Sequence, residues 1–103
     1  MIKNKYTIAQ ILPALNTGGV ERGVIEVSKS LVDNNFKSIV ISSGGHMETQ
    51  LRRIGSIHYR LDVNSKNPLK WPKIRKKLKV ILENEKVDLI NSSLELIELI
   101  FAV

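Results

Sequence analysis

The hydrophobic pattern of this chain changes period at short intervals. Ile8, Ile11 and Leu12 make Tyr6 to Pro13 an apolar run without strict alternation, which suits a strand buried on both faces. Asn16-Thr17-Gly18-Gly19 is a turn signal. From Val20 to about Asn34 the period becomes helical, with Val20, Val24, Val27 and Leu31 on the inward face and Glu21, Arg22, Lys29 and Asp33 toward water. Asn34-Asn35 supplies the stop. Lys37 to Ser43 is a second strand through Ile39, Val40 and Ile41, followed by the turn Ser43-Gly44-Gly45. Met47 to Ile54 is a short helix with Leu51 and Ile54 inward, ended by Gly55. Ile57 to Leu61 is a third strand, and Asp62 to Leu69 is a loop broken at Asn67-Pro68. Pro72, well suited to a first helical position, opens a helix to Glu85 with Ile74, Leu78, Ile81 and Leu82 on one face. Val87 to Ile90 is a fourth strand.

Strand and helix thus alternate through four strands. The pattern predicts an α/β fold, a Rossmann-like parallel sheet of about four strands with helices on both faces and right-handed crossovers. Ligands of such sheets bind beyond the carboxyl ends of the strands, near the switch point. This aligns Leu15 to Gly19, Ser42 to His46 and Asn91 to Ser93 along one edge.

Composition narrows the chemistry. The length of 103 residues suits one small domain. With no cysteine, disulfides, thiolate metal sites and a cysteine nucleophile are excluded. The positively charged start, Met1 to Lys5, resembles a signal peptide, but the apolar run after it contains Gln10, stops at Pro13 and lacks a small-residue cleavage site. It reads as a strand, and a cytoplasmic location is expected. No apolar run is long enough to span a bilayer. The net charge of +6 is unevenly placed: between Lys66 and Lys79 there are seven basic residues and no acidic one. Such a field favours anionic partners.

Gly18 and Gly19, between the first strand and first helix, let the backbone turn sharply and approach a ligand, while the helix start offers free N–H groups suited to phosphate. The same residues also serve a tight turn with no ligand at all. The GxGxxG and GxxxxGK[ST] patterns are absent, which disfavours ordinary NAD or ATP binding, and no cofactor is expected.

Leu12-Pro13-Ala14-Leu15-Asn16-Thr17-Gly18-Gly19-Val20-Glu21-Arg22-Gly23 resembles the opening of family-4 retaining glycosyltransferases of the GT-B type. The resemblance continues through Ser42-Ser43-Gly44-Gly45, Leu51 to Gly55, Ser65-Lys66-Asn67-Pro68 with its basic helix, and Val87-Asp88-Leu89-Ile90. It covers roughly residues 6 to 91 and is nearest in flavour to bacterial lipopolysaccharide and cell-surface glycan enzymes. It implies half of a GT-B fold: an N-terminal domain, residues 1–91, that holds a glycan or lipid-linked acceptor. Gly18 and Gly19 would approach the phosphates and sugar of a nucleotide-sugar donor. Glu21, Arg22, Ser43, Gly44 and His46 become candidate cleft residues. The donor-binding C-terminal domain, which supplies paired glutamates in this family, has no counterpart here. A family-like His after the fourth strand is also missing, and residues 92–103 form a divergent apolar tail. The expectation is a truncated chain, inactive alone, from a frameshifted or split gene, with a second chain as one way to supply the missing domain.

The basic run Lys66, Lys70, Lys73, Arg75, Lys76, Lys77 and Lys79, with Trp71 beside it, has three readings. One is a solvated helix face. A second is a contact to an anionic membrane on its inner side, with Lys70, Trp71, Lys73, Lys76 and Lys77 as the contacting residues. Such a contact makes the alternative function a non-enzymatic module that binds anionic membrane or an acidic partner. The third, nucleic acid, ranks below the membrane because only one aromatic residue is near. Neither His46 nor His58 has a partner at metal-ligand spacing, and no metal site is expected. His58 reads as structural. No Ser/His/Asp triad is visible in the spacing, and the catalytic residues are not assigned.

Overall fold

The computed structural model of the chain describes residues 6–12, 19–63 and 67–92. They form β1 (Thr7–Ile11), α1 (Gly19–Asp33), β2 (Lys37–Ser42), α2 (Glu48–Arg53), β3 (Ile57–Arg60), α3 (Trp71–Asn84) and β4 (Leu89–Ser92). A 3-10 turn, Pro68–Lys70, leads into α3, and the Asn67 side chain caps it by accepting from the Leu69 N–H. All strand pairs are parallel, and the sheet order is β3-β2-β1-β4. This is the expected Rossmann-like arrangement. The order reverses beside β1, so the switch point lies between β1 and β4.

The two faces of the sheet follow from the two-residue period of a strand. Ala9 and Ile11 of β1 and Ile39 and Ile41 of β2 pack with Ile74 and Leu78 of α3 and with Leu61 and Val63. Leu12 and Val40 face the other way, onto Val24 and Ile25 of α1 and Leu51 of α2. Ile39, Val40, Ile41, Leu51 and Leu78 are fully buried. Each such side chain contributes about 1.5–3 kcal/mol by leaving water.

All three helices close in the same way. The N–H groups of Phe36, Ser56 and Val87 bond back to the carbonyls of Leu31, Leu51 and Leu82. The residues before them, Asn35, Gly55 and Lys86, have positive φ. This is the six-to-one closure that stops a helix in a left-handed residue. It explains why β4 begins at Leu89 instead of Val87: Val87 spends its N–H on ending α3 and its side chain on the α3-side core. Asp88 then fixes the start of β4, its N–H donating to the Thr7 carbonyl and its carboxylate accepting from the Thr7 N–H.

The inward stripe of α1 also differs from expectation. Val27 is exposed, while Val24, Ile25 and Ser28 are buried. The cause lies in β1. Gln10 is buried on this face and donates to the Ser28 hydroxyl at 2.9 Å, so the helix turns a hydroxyl inward to satisfy it. At the end of α3, Glu85 accepts from Lys37 Nζ at 3.1 Å and from the Tyr59 hydroxyl at 2.9 Å, tying α3 to β2 and β3.

Candidate functional site

The carboxyl ends of β4, β1 and β2 lie side by side: Ile11 is in register with Ser92 on one side and Ile41 on the other. Asn91, Ser92 and Ser42 to His46 therefore share one edge of the sheet. Gly18 and the rest of residues 13–18, and residues 93–103, lie outside the described residues. Gly19 is the first residue of α1, and Glu21 is the acidic residue of its first turn, where the helix dipole favours a carboxylate. The sheet extends through Ser92, the first residue of the segment set apart by sequence.

Between the first turns of α1 and the start of α2 lies a groove of about 470 Å³ lined by Arg22, Ile25, Glu26, His46, Met47 and Gln50. Arg22 and His46, 24 positions apart in the numbering of the chain, are thus brought to one place. Glu21 does not line this groove. Gly44 is buried and faces a different set of groups: a Cβ there would sit 2.7 Å from Arg60 Nε and 2.9 Å from Glu48 Oε2.

Those groups form a polar chain that sequence spacing does not show. Ser42 Oγ lies 2.7 Å from His58 Nε2, and His58 Nδ1 lies 3.1 Å from Glu48 Oε1. The other carboxylate oxygen, Oε2, accepts from Arg60 Nη2 at 2.6 Å and from the Gly45 N–H at 3.0 Å. The Gly44 N–H donates to Ser42 Oγ at 3.0 Å. Three hydrogen bonds or close ion pairs thus converge on one carboxylate, and both glycine amides of the turn are held. Neutral His58 satisfies the geometry fully, donating from Nδ1 to Glu48 and accepting at Nε2 from the Ser42 hydroxyl.

The electrostatics agree with this assignment. The Gly45 N–H, and then the Arg60 guanidinium, lower the Glu48 carboxyl to about 2 against the resistance of burial. Burial pushes His58 below its ordinary value, outweighing the pull of Glu48. The order serine, histidine, carboxylate is that of a hydrolase triad. Here, however, Ser42 is 0 % exposed, and its oxygen is also engaged by Gly44 N–H. No substrate carbonyl reaches it. The chain holds the Gly44-Gly45 turn in place, and so fixes where His46 stands. The signal in the sequence was the buried strand carrying Ser42 next to one carrying His58 and Arg60, and only the β2–β3 register joins them.

Of the basic run, Lys66 lies outside the described residues, and the rest divides over the start and body of α3. Lys70, Lys73 and Lys77 border one pocket, and Arg75, Lys76 and Lys79 with Pro72 border another of about 310 Å³. Trp71 is half-buried and packs on the α3-side core. The apolar residue that stands out beside the run is Leu69, 85 % exposed. Among the described residues no three His, Cys, Asp or Glu side chains gather as metal ligands, and no helix is long and apolar enough to cross a membrane.

No family model matches the chain, and no curated protein matches it. Among solved structures, the chain is similar to a glycosyltransferase from Rickettsia africae ESF-5, at 40 % identity and a TM-score of 0.77. The match covers 86 % of this chain and 24 % of that protein. The chain therefore spans about a quarter of the length of this glycosyltransferase, and over that quarter it is similar to it in both sequence and fold.

Proposed function

We propose that the chain is the acceptor-side, N-terminal half-domain of a retaining GT-B glycosyltransferase that moves a sugar from a nucleotide-sugar donor to a surface-glycan or lipid-linked acceptor. The observation that carries this reading is the 40 % identity to a glycosyltransferase over 86 % of the chain, on a parallel sheet whose carboxyl edge carries Ser42 to His46 beside Asn91 and Ser92. Gly19 at the start of α1 approaches the donor phosphates, where the helix dipole and free N–H groups favour negative charge. Arg22 and His46 border the acceptor side through their shared groove. In this reading the donor-binding domain is not among the 103 residues, and the chain alone transfers no sugar. Residues 6–92 grafted in place of the matching quarter of the Rickettsia africae enzyme test it. Transfer from a nucleotide sugar to membrane lipid extract is expected of the chimera, and its loss is expected on Gly19→Val, because a β-branched side chain blocks backbone approach. A folded chimera without transfer refutes the reading.

A second reading is favoured by Leu69, exposed beside the basic start of α3: the chain is a module that lies on an anionic membrane, at the inner face of the cell membrane. Basic residues near such a surface contribute about 1 kcal/mol each. Sedimentation with phosphatidylglycerol vesicles separates the two readings: salt-sensitive binding by the chain alone favours the module, and none removes it.

A further inference from the structure

A pocket of about 350 Å³ opens at the carboxyl end of β3, and its lining comes from three places in the chain. Arg60 ends β3, Leu61 and Asp62 follow it, Lys70 ends the 3-10 turn, and Lys73, Ile74 and Lys77 come from the first two turns of α3. Four cations and one carboxylate thus surround an apolar floor of Leu61 and Ile74. Asp62 does not neutralise them: no ion pair joins it to any of the four, and Lys70, Lys73 and Lys77 pair with no described residue. Arg60 is held from behind by Glu48 at 2.6 Å, while its side chain remains 69 % exposed. The guanidinium is therefore positioned but not covered.

The protein leaves the positive charge of this arrangement uncompensated. Lys73 and Lys77 stand four residues apart on α3, a spacing at which like charges repel, and Lys70 precedes the helix three residues before Lys73. Two of them lie at the start of α3, whose first turn has no acidic residue and whose preceding residue, Lys70, gives no side-chain cap. Positive side chains there oppose the helix dipole. An anion reverses each of these costs at once. The pocket volume and the number of donors suit a single phosphate group with a small attachment, and a planar guanidinium with ammonium groups is the donor set that phosphate takes.

We propose that this pocket binds a phosphomonoester, with Arg60, Lys70, Lys73 and Lys77 as its ligands. The site is separate from the Arg22–His46 groove; it shares Lys70, Lys73 and Lys77 with the membrane-module reading, which it narrows from a basic face to one pocket. The phosphate is either that of a soluble ester or that of a lipid headgroup.

The test uses the full chain, titrated with glycerol 3-phosphate and, separately, with phosphatidylcholine vesicles containing phosphatidic acid. Two double variants of equal charge are compared: Lys73→Gln with Lys77→Gln inside the pocket, and Lys79→Gln with Lys86→Gln outside it. Circular dichroism confirms that each is folded. The pocket variant is expected to bind at least about tenfold more weakly, the loss of one charge-assisted contact or more, while the outer variant stays within about twofold. Pocket-dependent binding of glycerol 3-phosphate identifies a soluble ester, and pocket-dependent binding of vesicles alone identifies a headgroup. Equal weakening in both variants overturns the proposal in favour of a diffuse basic face, and absence of binding in both arms overturns it outright. Neither result touches the sugar-transfer chimera, which reads a different edge of the sheet.

Discussion

Gly44 is a residue where the backbone leaves no choice. Its φ of +99° lies where L side chains rarely go, and an added Cβ would press into Arg60 and Glu48. Gly44→Ala therefore combines backbone strain of about 1–2 kcal/mol with displacement of an ion pair. A loss of about 2–3 kcal/mol in urea unfolding is expected, and a loss under 0.5 kcal/mol would show that the turn relaxes freely. The groups beside it also set a response to acid. The Glu48 carboxyl is lowered from 4.5 to about 2 by folding, so its contribution is complete above pH 4.5 and disappears as pH falls toward 2. Because its partner Arg60 is largely exposed to solvent, that contribution is about 2 kcal/mol. His58 acts in the same direction at higher pH. Its folded value is depressed, so the unfolded chain takes up the proton first as pH falls below about 6.5, and stability declines from there. Glu48→Gln should flatten the stability–pH curve between 4.5 and 2, and His58→Gln should flatten the part that begins near 6.5. Unfolding at a series of pH values checks both, and an unchanged acid limb in Glu48→Gln contradicts the assignment.

At the scale of elements, every described strand and α-helix was legible in the changing hydrophobic period, because each buries a face whose spacing is fixed by its own geometry, whereas the 3-10 turn Pro68–Lys70, which buries nothing, fell at the end of an expected loop. What escaped was of two kinds. Boundaries moved where a residue did two jobs, as Val87 does in ending α3 ahead of β4. Contacts between elements escaped altogether. Nothing local says that Ser42, Glu48, His58 and Arg60 meet, since the β2–β3 register and the start of α2 bring them together. Of the candidate site, the alignment of Ser42 to His46 with Asn91 and Ser92 was legible from topology, whereas the groove shared by Arg22 and His46 and the part of Arg60 were not. The helix α3 shows what the proposed anion site would cost within a single element. Lys73→Glu places a carboxylate in its first turn, where the dipole favours it by about 0.3–1 kcal/mol, and four residues before Lys77, where it adds about 0.2–0.5 kcal/mol. The variant is expected to melt a few degrees higher. A lower melting temperature would mean that Lys73 is already paired and that α3 is not poorly charged at its start.

For the whole molecule, burial falls steeply from the centre of the sheet to its edges, and local stability should follow. Ile39, Val40 and Ile41 of β2 are fully buried between helices on both faces. β1, beside it, pairs with β2 and β4. The edge strands differ from each other. β3 carries the exposed Ile57, but His58 and Arg60 anchor it to Glu48, and Tyr59 anchors it to Glu85. β4 pairs with β1 alone among the described residues, alternates exposed with half-buried side chains, and exposes Leu89. Amide exchange in a folded protein reports the free energy of the opening that frees each N–H, and edges with few buried contacts open without the rest. Exchange of the full chain should therefore be slowest in β2 and β1, intermediate in β3 and fastest in β4. A gap of about 3 kcal/mol between β2 and β4 corresponds to somewhat more than a hundredfold in rate. Glu48→Gln should bring β3 toward the rate of β4 while leaving the β2 to β4 difference in place, because it removes an anchor of one edge only. Uniform exchange across all four strands would show a molecule that opens only as a unit, with the edge at the switch point as firm as its centre. A β4 that opens early instead leaves the carboxyl edge between β1 and β4 as the part most readily remodelled by whatever binds or packs there.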